Sequence, residues 1–73
     1  MTQLKTPVEQ LADEPTQDYI KFLVFVGMGT SRSLDKAYRQ YYETTNDVSE
    51  LWRKLADKFR WVDRASDYDK RSA

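Results

Sequence analysis

The chain has no cysteine and no histidine, and it has only two glycines and two prolines among its 73 residues. Without cysteine it can form no disulfide and no thiolate metal site, and it has no thiol nucleophile. Without histidine it lacks the commonest general base, the commonest metal ligand and every serine–histidine triad. These absences predict a binding or structural module that is not an enzyme and that uses no cofactor and no metal.

The size and charge of the chain limit the number of domains and the partners that it can be expected to have. A chain of 73 residues is one domain at most, with a net stability of roughly 3–5 kcal/mol. The twelve basic and twelve acidic residues cancel, so no overall field steers the protein towards nucleic acid. The charge is uneven, however. Residues 1–29 have two basic and four acidic residues, whereas residues 30–62 have seven basic and five acidic residues.

No targeting or membrane segment is visible in the sequence. The stretch from Met1 to Glu14 has one lysine, three acidic residues and no apolar run, unlike a signal peptide. The apolar run from Tyr19 to Met28 is interrupted by Lys21 and is far shorter than the roughly 20 residues of a membrane span. We therefore expect a cytoplasmic protein with no membrane and no small-molecule substrate among its partners.

The N-terminal segment, residues 1–14, is expected to be either flexible or a short helical turn. Thr6 to Glu9 has a capping-box pattern with Pro7 at the first helical position. In a helix, Leu4, Val8 and Leu11 would share one side. A frayed tail is the alternative for a terminus of this kind.

The next segment is ambiguous between a helix and a strand. The run from Phe22 to Val26 is aromatic and β-branched, which favours a strand on propensity alone. No other segment offers a partner, so such a strand would have to pair across a dimer. We predict instead a buried helix from Pro15 to Met28, with Pro15 at its first helical position. Gly27 and Gly29 are expected to end it.

Two amphipathic stripes follow, each with the apolar spacing of a helix. The first consists of Leu34, Ala37, Tyr38, Tyr41 and Tyr42. Its cap is either Ser31 or Ser33. The second consists of Val48, Leu51, Trp52, Leu55, Ala56 and Phe59. Its cap is expected at Asp47, with Glu50 at the third helical position. The polar residues 43–46 between the stripes predict a turn.

The end of the chain has two readings. Trp61, Ala65 and Tyr68 recur at helical spacing, so residues 61–69 are either a separate short helix or a continuation of the third helix. The predicted fold class is all-α, a small bundle of three to four helices with a helix-turn-helix-like arrangement. We expect the domain to span residues 15–69, with a frayed C-terminus at residues 70–73.

Three pieces of the chain carry a family resemblance. The first is FLVFVGMGTSRSL at residues 22–34, the second is Ala37, and the third is Trp52 with FRWVDRA at residues 59–65 and Tyr68-Asp69. Together, over about two-thirds of the chain, they resemble the N-terminal helix-turn-helix domain of phage-type terminase small subunits and related proteins of phages and mobile elements. The turn at residues 43–46 is longer than the family's and has no glycine. The resemblance implies nucleic-acid binding, and packaging activity is not carried over from the family.

The second stripe, residues 48–59, is the candidate recognition helix. Arg53 and Lys54 lie opposite its apolar face, where Arg53 could read a guanine edge and Lys54 could meet a phosphate. In helix-turn-helix docking the preceding helix crosses the DNA backbone, so groups at its N-terminus can meet phosphates. We therefore predict a site for double-stranded DNA, bound by a homodimer, at Arg32, Ser33, Lys36, Ser49, Arg53, Lys54 and Lys58.

A structural interpretation of the same face stays open. Glu50 with Lys54, and Arg53 with Asp57, are ordinary i,i+4 pairs of a solvated helix, and the two acids would repel DNA. In the same way, Ser33 would act only as a helix cap, and Arg32 would be solvated.

A second hypothesis is a protein-interaction module of the same fold that does not bind DNA. Its interface with a partner protein or a second copy would be supplied by Tyr41, Tyr42 and the apolar run from Phe22 to Val26. The other aromatic residues lie on or near the apolar stripes. They are therefore expected to pack in the core and not to stack on unpaired bases. They are Trp52, Phe59, Trp61 and Tyr68.

Overall fold

The structure, a computed structural model, describes residues 9–72. Over that range the chain forms four α-helices and no strand: α1 (Thr16–Gly27), α2 (Leu34–Tyr42), α3 (Glu50–Lys58) and α4 (Trp61–Ser72). The predicted all-α fold with three to four helices is therefore confirmed. None of these helices is long and apolar enough to cross a membrane. The predicted helical turn from Thr6 rests on residues that lie outside the described range.

Helix α1 matches the predicted range, but its first and last residues differ in detail. Pro15 is the N-cap, with φ −58° and ψ 145°, and Met28 is the C-cap. Gly27 is the last helical residue. Gly29, by contrast, has φ +72°, a conformation that glycine adopts without strain. Gly29 therefore lets the chain leave α1 through a short 3-10 turn, Gly29–Ser31.

Serine side chains cap α2 and α3. The Ser33 hydroxyl accepts a hydrogen bond from the backbone N–H of Lys36 at 3.1 Å, which confirms one of the two predicted caps. The predicted cap of α3 at Asp47 is wrong. The Asp47 carboxylate instead accepts a hydrogen bond from Arg39 at 3.3 Å. The Ser49 hydroxyl caps α3, so the helix begins two residues later than predicted.

A left-handed residue separates α3 from α4. Arg60 has φ +54°, which a right-handed helix cannot include. Phe59 is the C-cap of α3, and α4 begins at Trp61. Of the two alternatives for the end of the chain, the separate last helix is therefore confirmed. Helix α4 has 12 residues and reaches Ser72. Residues 70–72, which were predicted to lie beyond the helical domain, are part of α4.

The core is built around two tryptophans. Trp52 and Trp61 are fully buried, and their rings meet edge-on with centroids 5.5 Å apart. Phe22 and Phe25 each lie 5.9 Å from the Trp61 ring. The predicted core role of the tryptophans is confirmed, and such aromatic contacts stabilise beyond the area they bury. The other buried apolar residues are Val26, Ala37, Val48, Phe59 and Ala65.

Leu51 is not part of this core, contrary to the predicted stripe. Its side chain is 57% exposed. Trp52 and Phe59 mark the centre of the buried face of α3, and Leu51 lies about 100° around the helix from Trp52. The spacing i, i+3, i+4 therefore described a stripe wider than the surface that α3 buries.

A buried ion pair holds the segment before α1 against α4. Glu14 is 2% exposed, and its carboxylate accepts two hydrogen bonds from the Arg64 guanidinium, each of 3.1 Å. Arg64 also donates to the carbonyl oxygens of Phe59 and Glu9, and its guanidinium carbon lies 4.0 Å from the centre of the Phe22 ring. Of the segment 1–14, predicted to be flexible or helical, the described residues 9–14 thus form no helix. They make a turn at Ala12 and Asp13, and the buried Glu14 holds them to α4.

Candidate nucleic-acid interface

Arg32, a predicted phosphate contact, has an internal partner. Its Nη2 donates to Oδ1 of Asp69 at 2.7 Å, and its guanidinium carbon lies 5.7 Å from the centre of the Phe25 ring. Only 12% of the Arg32 side chain is exposed. Arg32 therefore joins the segment before α2 to α4 and α1, and it would have to leave Asp69 to reach a phosphate.

The carboxyl group of Asp69 responds to this pairing. The hydrogen bond from Arg32 lowers the pKa of Asp69, partial burial raises it, and the positive charge of Arg32 lowers it again. The net effect is a pKa below the ordinary value for aspartate, because the charged form is the one that accepts the hydrogen bond.

Ser33 and Lys36 at the start of α2, and Ser49 at the start of α3, have polar groups that remain accessible to a ligand. The hydroxyls of Ser33 and Ser49 each accept a backbone N–H as caps, which leaves each hydroxyl proton free to donate. Lys36 is exposed, and its Nζ lies 3.4 Å from the carbonyl oxygen of Ser31.

Helix α3 presents three of the predicted basic side chains to solvent. Arg53, Lys54 and Lys58 are all exposed, and none of them forms an ion pair with another residue in the range 9–72. The i,i+4 pairs of the structural interpretation, with Glu50 and Asp57, do not form there. The ion pairs that do form in this range use Lys21, Arg32, Arg39, Arg64 and Arg71.

Arg60 extends this basic surface, and sequence reasoning missed it. It is exposed and makes no ion pair within the described residues. Arg60 and Arg53 line the same groove of about 380 Å³ between α3 and the start of α4. The rest of its lining is Ala56, Asp57, Val62 and Asp63. No glycine or proline near residue 60 marked the break that places Arg60 at this corner.

A second groove connects this corner to the start of α2. It has a volume of about 330 Å³, and its lining includes Ser33, Ala56 and Val62. Because Ala56 and Val62 line both grooves, the two grooves are neighbours. The structure thus brings Ser33 and Arg53 to one side of the molecule. Lys54 lies about 100° further around α3.

The predicted protein-interaction surface is mostly internal. Of the run from Phe22 to Val26, Leu23 is the one exposed residue. Tyr42 is 47% exposed, and its hydroxyl accepts a hydrogen bond from Nε1 of Trp52 at 3.4 Å. The apolar surface that α1 does present comes from Leu23 and Ile20, which are 38% and 46% exposed.

Comparison of the chain with protein-family models, with curated proteins and with solved structures gives no match in any of the three. The resemblance to terminase small subunits therefore stays a prediction.

Proposed function

We propose that the protein binds double-stranded DNA and is not an enzyme. The contact is the basic surface, defined as the four side chains Arg53, Lys54, Lys58 and Arg60. One observation carries the proposal: all four are exposed and enter no ion pair within residues 9–72. Cations without an ion-pair partner are those that phosphates can recruit without breaking a salt bridge of the fold.

The proposed roles follow from position. Arg53, in the middle of α3, offers a guanidinium that can donate two hydrogen bonds to a guanine edge. Lys54 and Lys58 lie further around the same helix and would contact phosphates on the flank of the groove. Arg60 takes the phosphate role that the sequence suggested for Arg32, because Arg32 is paired with Asp69.

Further contacts would come from the helix starts. Lys36 is exposed near the N-terminus of α2, where the helix dipole favours an anion. The hydroxyl protons of Ser33 and Ser49 can donate to phosphate oxygens. A seven-residue connection, residues 43–49, separates α2 from α3. This is longer than the 3–4 residues of a helix-turn-helix turn, so α3 need not be presented as in that motif.

The mechanism makes affinity depend on salt. If Lys54, Lys58 and Arg60 each neutralise one phosphate, log K falls with log salt at a slope of about −2.7. The two acidic residues of this stretch, Glu50 and Asp57, stand beside the same polyanion and keep the affinity modest.

Fluorescence anisotropy of a labelled random-sequence duplex tests the proposal. Replacing both Arg53 and Lys54 by Ala should weaken binding at least about tenfold and reduce the salt slope by about 1, because Lys54 is the phosphate contact of the two. The matched control is the double variant Lys70→Ala and Arg71→Ala, which removes the same charge from the last turn of α4. It should weaken binding by less than about threefold, since those charges act only at long range.

Two outcomes contradict the proposal. One is wild-type protein that does not bind the duplex at low salt. The other is an equal loss of affinity in the two double variants, which would mean that only net charge matters. Circular dichroism of both variants checks that each remains helical.

The protein-interaction hypothesis keeps one specific observation in its favour. The exposed side chains of Ile20 and Leu23 lie three residues apart on α1, and apolar neighbours of this kind on one helix face suit a protein contact. We propose that this surface, and not Tyr41 and Tyr42, would serve a partner.

A further inference from the structure

The outward face of α1 carries no charged side chain. We call this face the α1 seam; it consists of Thr16, Ile20, Leu23 and Gly27, all exposed. The two charged residues of the helix, Asp18 and Lys21, are largely buried and pair with each other at 3.4 Å. A contact along the α1 seam would therefore bury no charge.

The α1 seam has the spacing and symmetry of a self-association surface. Steps of four, three and four residues keep the side chains on one line of a helix that packs against another helix. Along the α1 seam the side chains are small, large, large and small, so the order of sizes is the same in both chain directions. Two antiparallel copies would set Ile20 against the partner's Leu23, and Thr16 against the partner's Gly27.

Gly27 gives an independent indication. It is a helical residue, and glycine is the poorest helix former after proline. A Cβ at this position would meet no atom of the described residues within 4 Å, and its φ is not positive, unlike that of Gly29. Nothing within the described residues of one copy requires glycine here. The close approach of a second helix would require it.

We propose that the α1 seam is the contact between two copies of this chain, packed antiparallel about a two-fold axis. An uncharged face meets itself without like-charge repulsion, and a two-fold axis makes the same patch serve both copies. Helix α1 has 12 residues and is about 18 Å long. The contact is therefore smaller than the roughly 1,200–2,000 Å² of stable interfaces, and the dimer is a weak one.

This inference goes beyond DNA binding and does not depend on it. Sedimentation equilibrium without DNA tests it, from about 10 μM to about 1 mM protein, where small interfaces dissociate. The mass of the wild-type protein should rise from monomer towards dimer. Leu23→Glu should weaken association at least about tenfold, because it would bury a charge. The control is Leu51→Glu, at a residue that is 57% exposed on α3, and it should associate like the wild type.

Gly27→Leu tests the close approach itself. The new side chain fills the seam, so association should weaken at least about tenfold, while the thermal midpoint of dilute protein should not fall, since leucine is the better helix former. Wild-type protein that stays monomeric at the highest concentration overturns the proposal. So does equal association of Leu23→Glu and Leu51→Glu.

The absence of cysteine allows a direct test of orientation. Proteins with Ile20→Cys and Leu23→Cys are mixed in a glutathione redox buffer. Antiparallel packing predicts that the mixed disulfide exceeds both disulfides between identical chains, because residue 20 faces residue 23 of the partner. A predominance of disulfides between identical chains, or yields no higher than for Leu51→Cys, contradicts the arrangement.

Discussion

The guanidinium of Arg64 and the carboxylate of Glu14 lie 50 residues apart in the sequence and are joined by two hydrogen bonds of 3.1 Å each. Both side chains are buried, and the pair ties the turn before α1 to α4. In such a pair, loss of one partner leaves an uncompensated charge inside the protein. The fold therefore depends on a contact between two distant parts of the chain.

Replacing Glu14 by Gln should be strongly destabilising. We expect the free energy of unfolding to fall by about 3 kcal/mol, measured by urea denaturation, because Arg64 would keep its charge without a carboxylate. The matched control is Asp47→Asn. Asp47 pairs with Arg39 but its side chain is 96% exposed, so the loss should stay below about 0.5 kcal/mol. Similar losses in the two variants would show that the buried pair contributes no more to the free energy of unfolding than the exposed one.

The two glycines should respond to alanine with opposite signs. Gly27→Ala places a good helix former in α1 with open space around its Cβ and should raise the unfolding free energy by up to about 1 kcal/mol. Gly29→Ala forces alanine to φ +72° and should lower it by about 1 kcal/mol. Thermal unfolding in dilute solution measures both changes. Changes of the same sign would mean that the turn after α1 is described wrongly.

The Arg32–Asp69 pair should make stability fall in acid. The folded protein holds the pKa of Asp69 below its ordinary value, so the unfolded chain takes up a proton first as the pH drops. The stabilisation is present above the ordinary aspartate pKa of about 3.9 and is lost as the pH falls through the lower pKa of the folded state.

An NMR titration of the Asp69 carboxyl carbon measures this effect. The pKa should lie below the ordinary value in the wild-type protein and return towards it in Arg32→Met, which removes the hydrogen bond and keeps an apolar stem over Phe25. A pKa of Asp69 that does not change in Arg32→Met would show that Arg32 is not its cause.

Local signals made α2 predictable. Ser33, the stripe that begins at Leu34, and the polar residues after Tyr42 all lie within a few residues of the helix, and the structure places α2 at Leu34–Tyr42. The core positions of the two tryptophans were equally predictable, because the apolar stripe of an amphipathic helix faces the core.

Other features could not be predicted from the sequence, because they depend on residues far apart in the chain. Arg32 looks free in the sequence, but its partner Asp69 lies 37 residues away. Glu14 looks like a solvated charge before a proline, yet it is 2% exposed. Arg60 adopts a left-handed conformation with no glycine to signal it. In each case the deciding contact or conformation is set by tertiary packing, which periodicity does not encode.

The candidate site also has residues that the sequence could predict and residues that it could not. Exposure of Arg53, Lys54 and Lys58 follows from their position opposite the apolar stripe of α3, so the sequence could predict it. The addition of Arg60 depends on how α4 packs against α3, and the internal pairing of Arg32 depends on how α4 lies beside the segment before α2. The helix surface was therefore predictable, but its neighbours in space were not.

The most direct test of DNA binding by the basic surface is a series of ¹⁵N–¹H NMR spectra recorded while a random-sequence duplex is added at low salt and again at high salt. DNA binding by the basic surface predicts shifts concentrated at residues 49–60 and at residues 33–36, which fade as salt rises because the contacts release counterions. Spectra that do not move, or shifts confined to the last turns of α4, would contradict it.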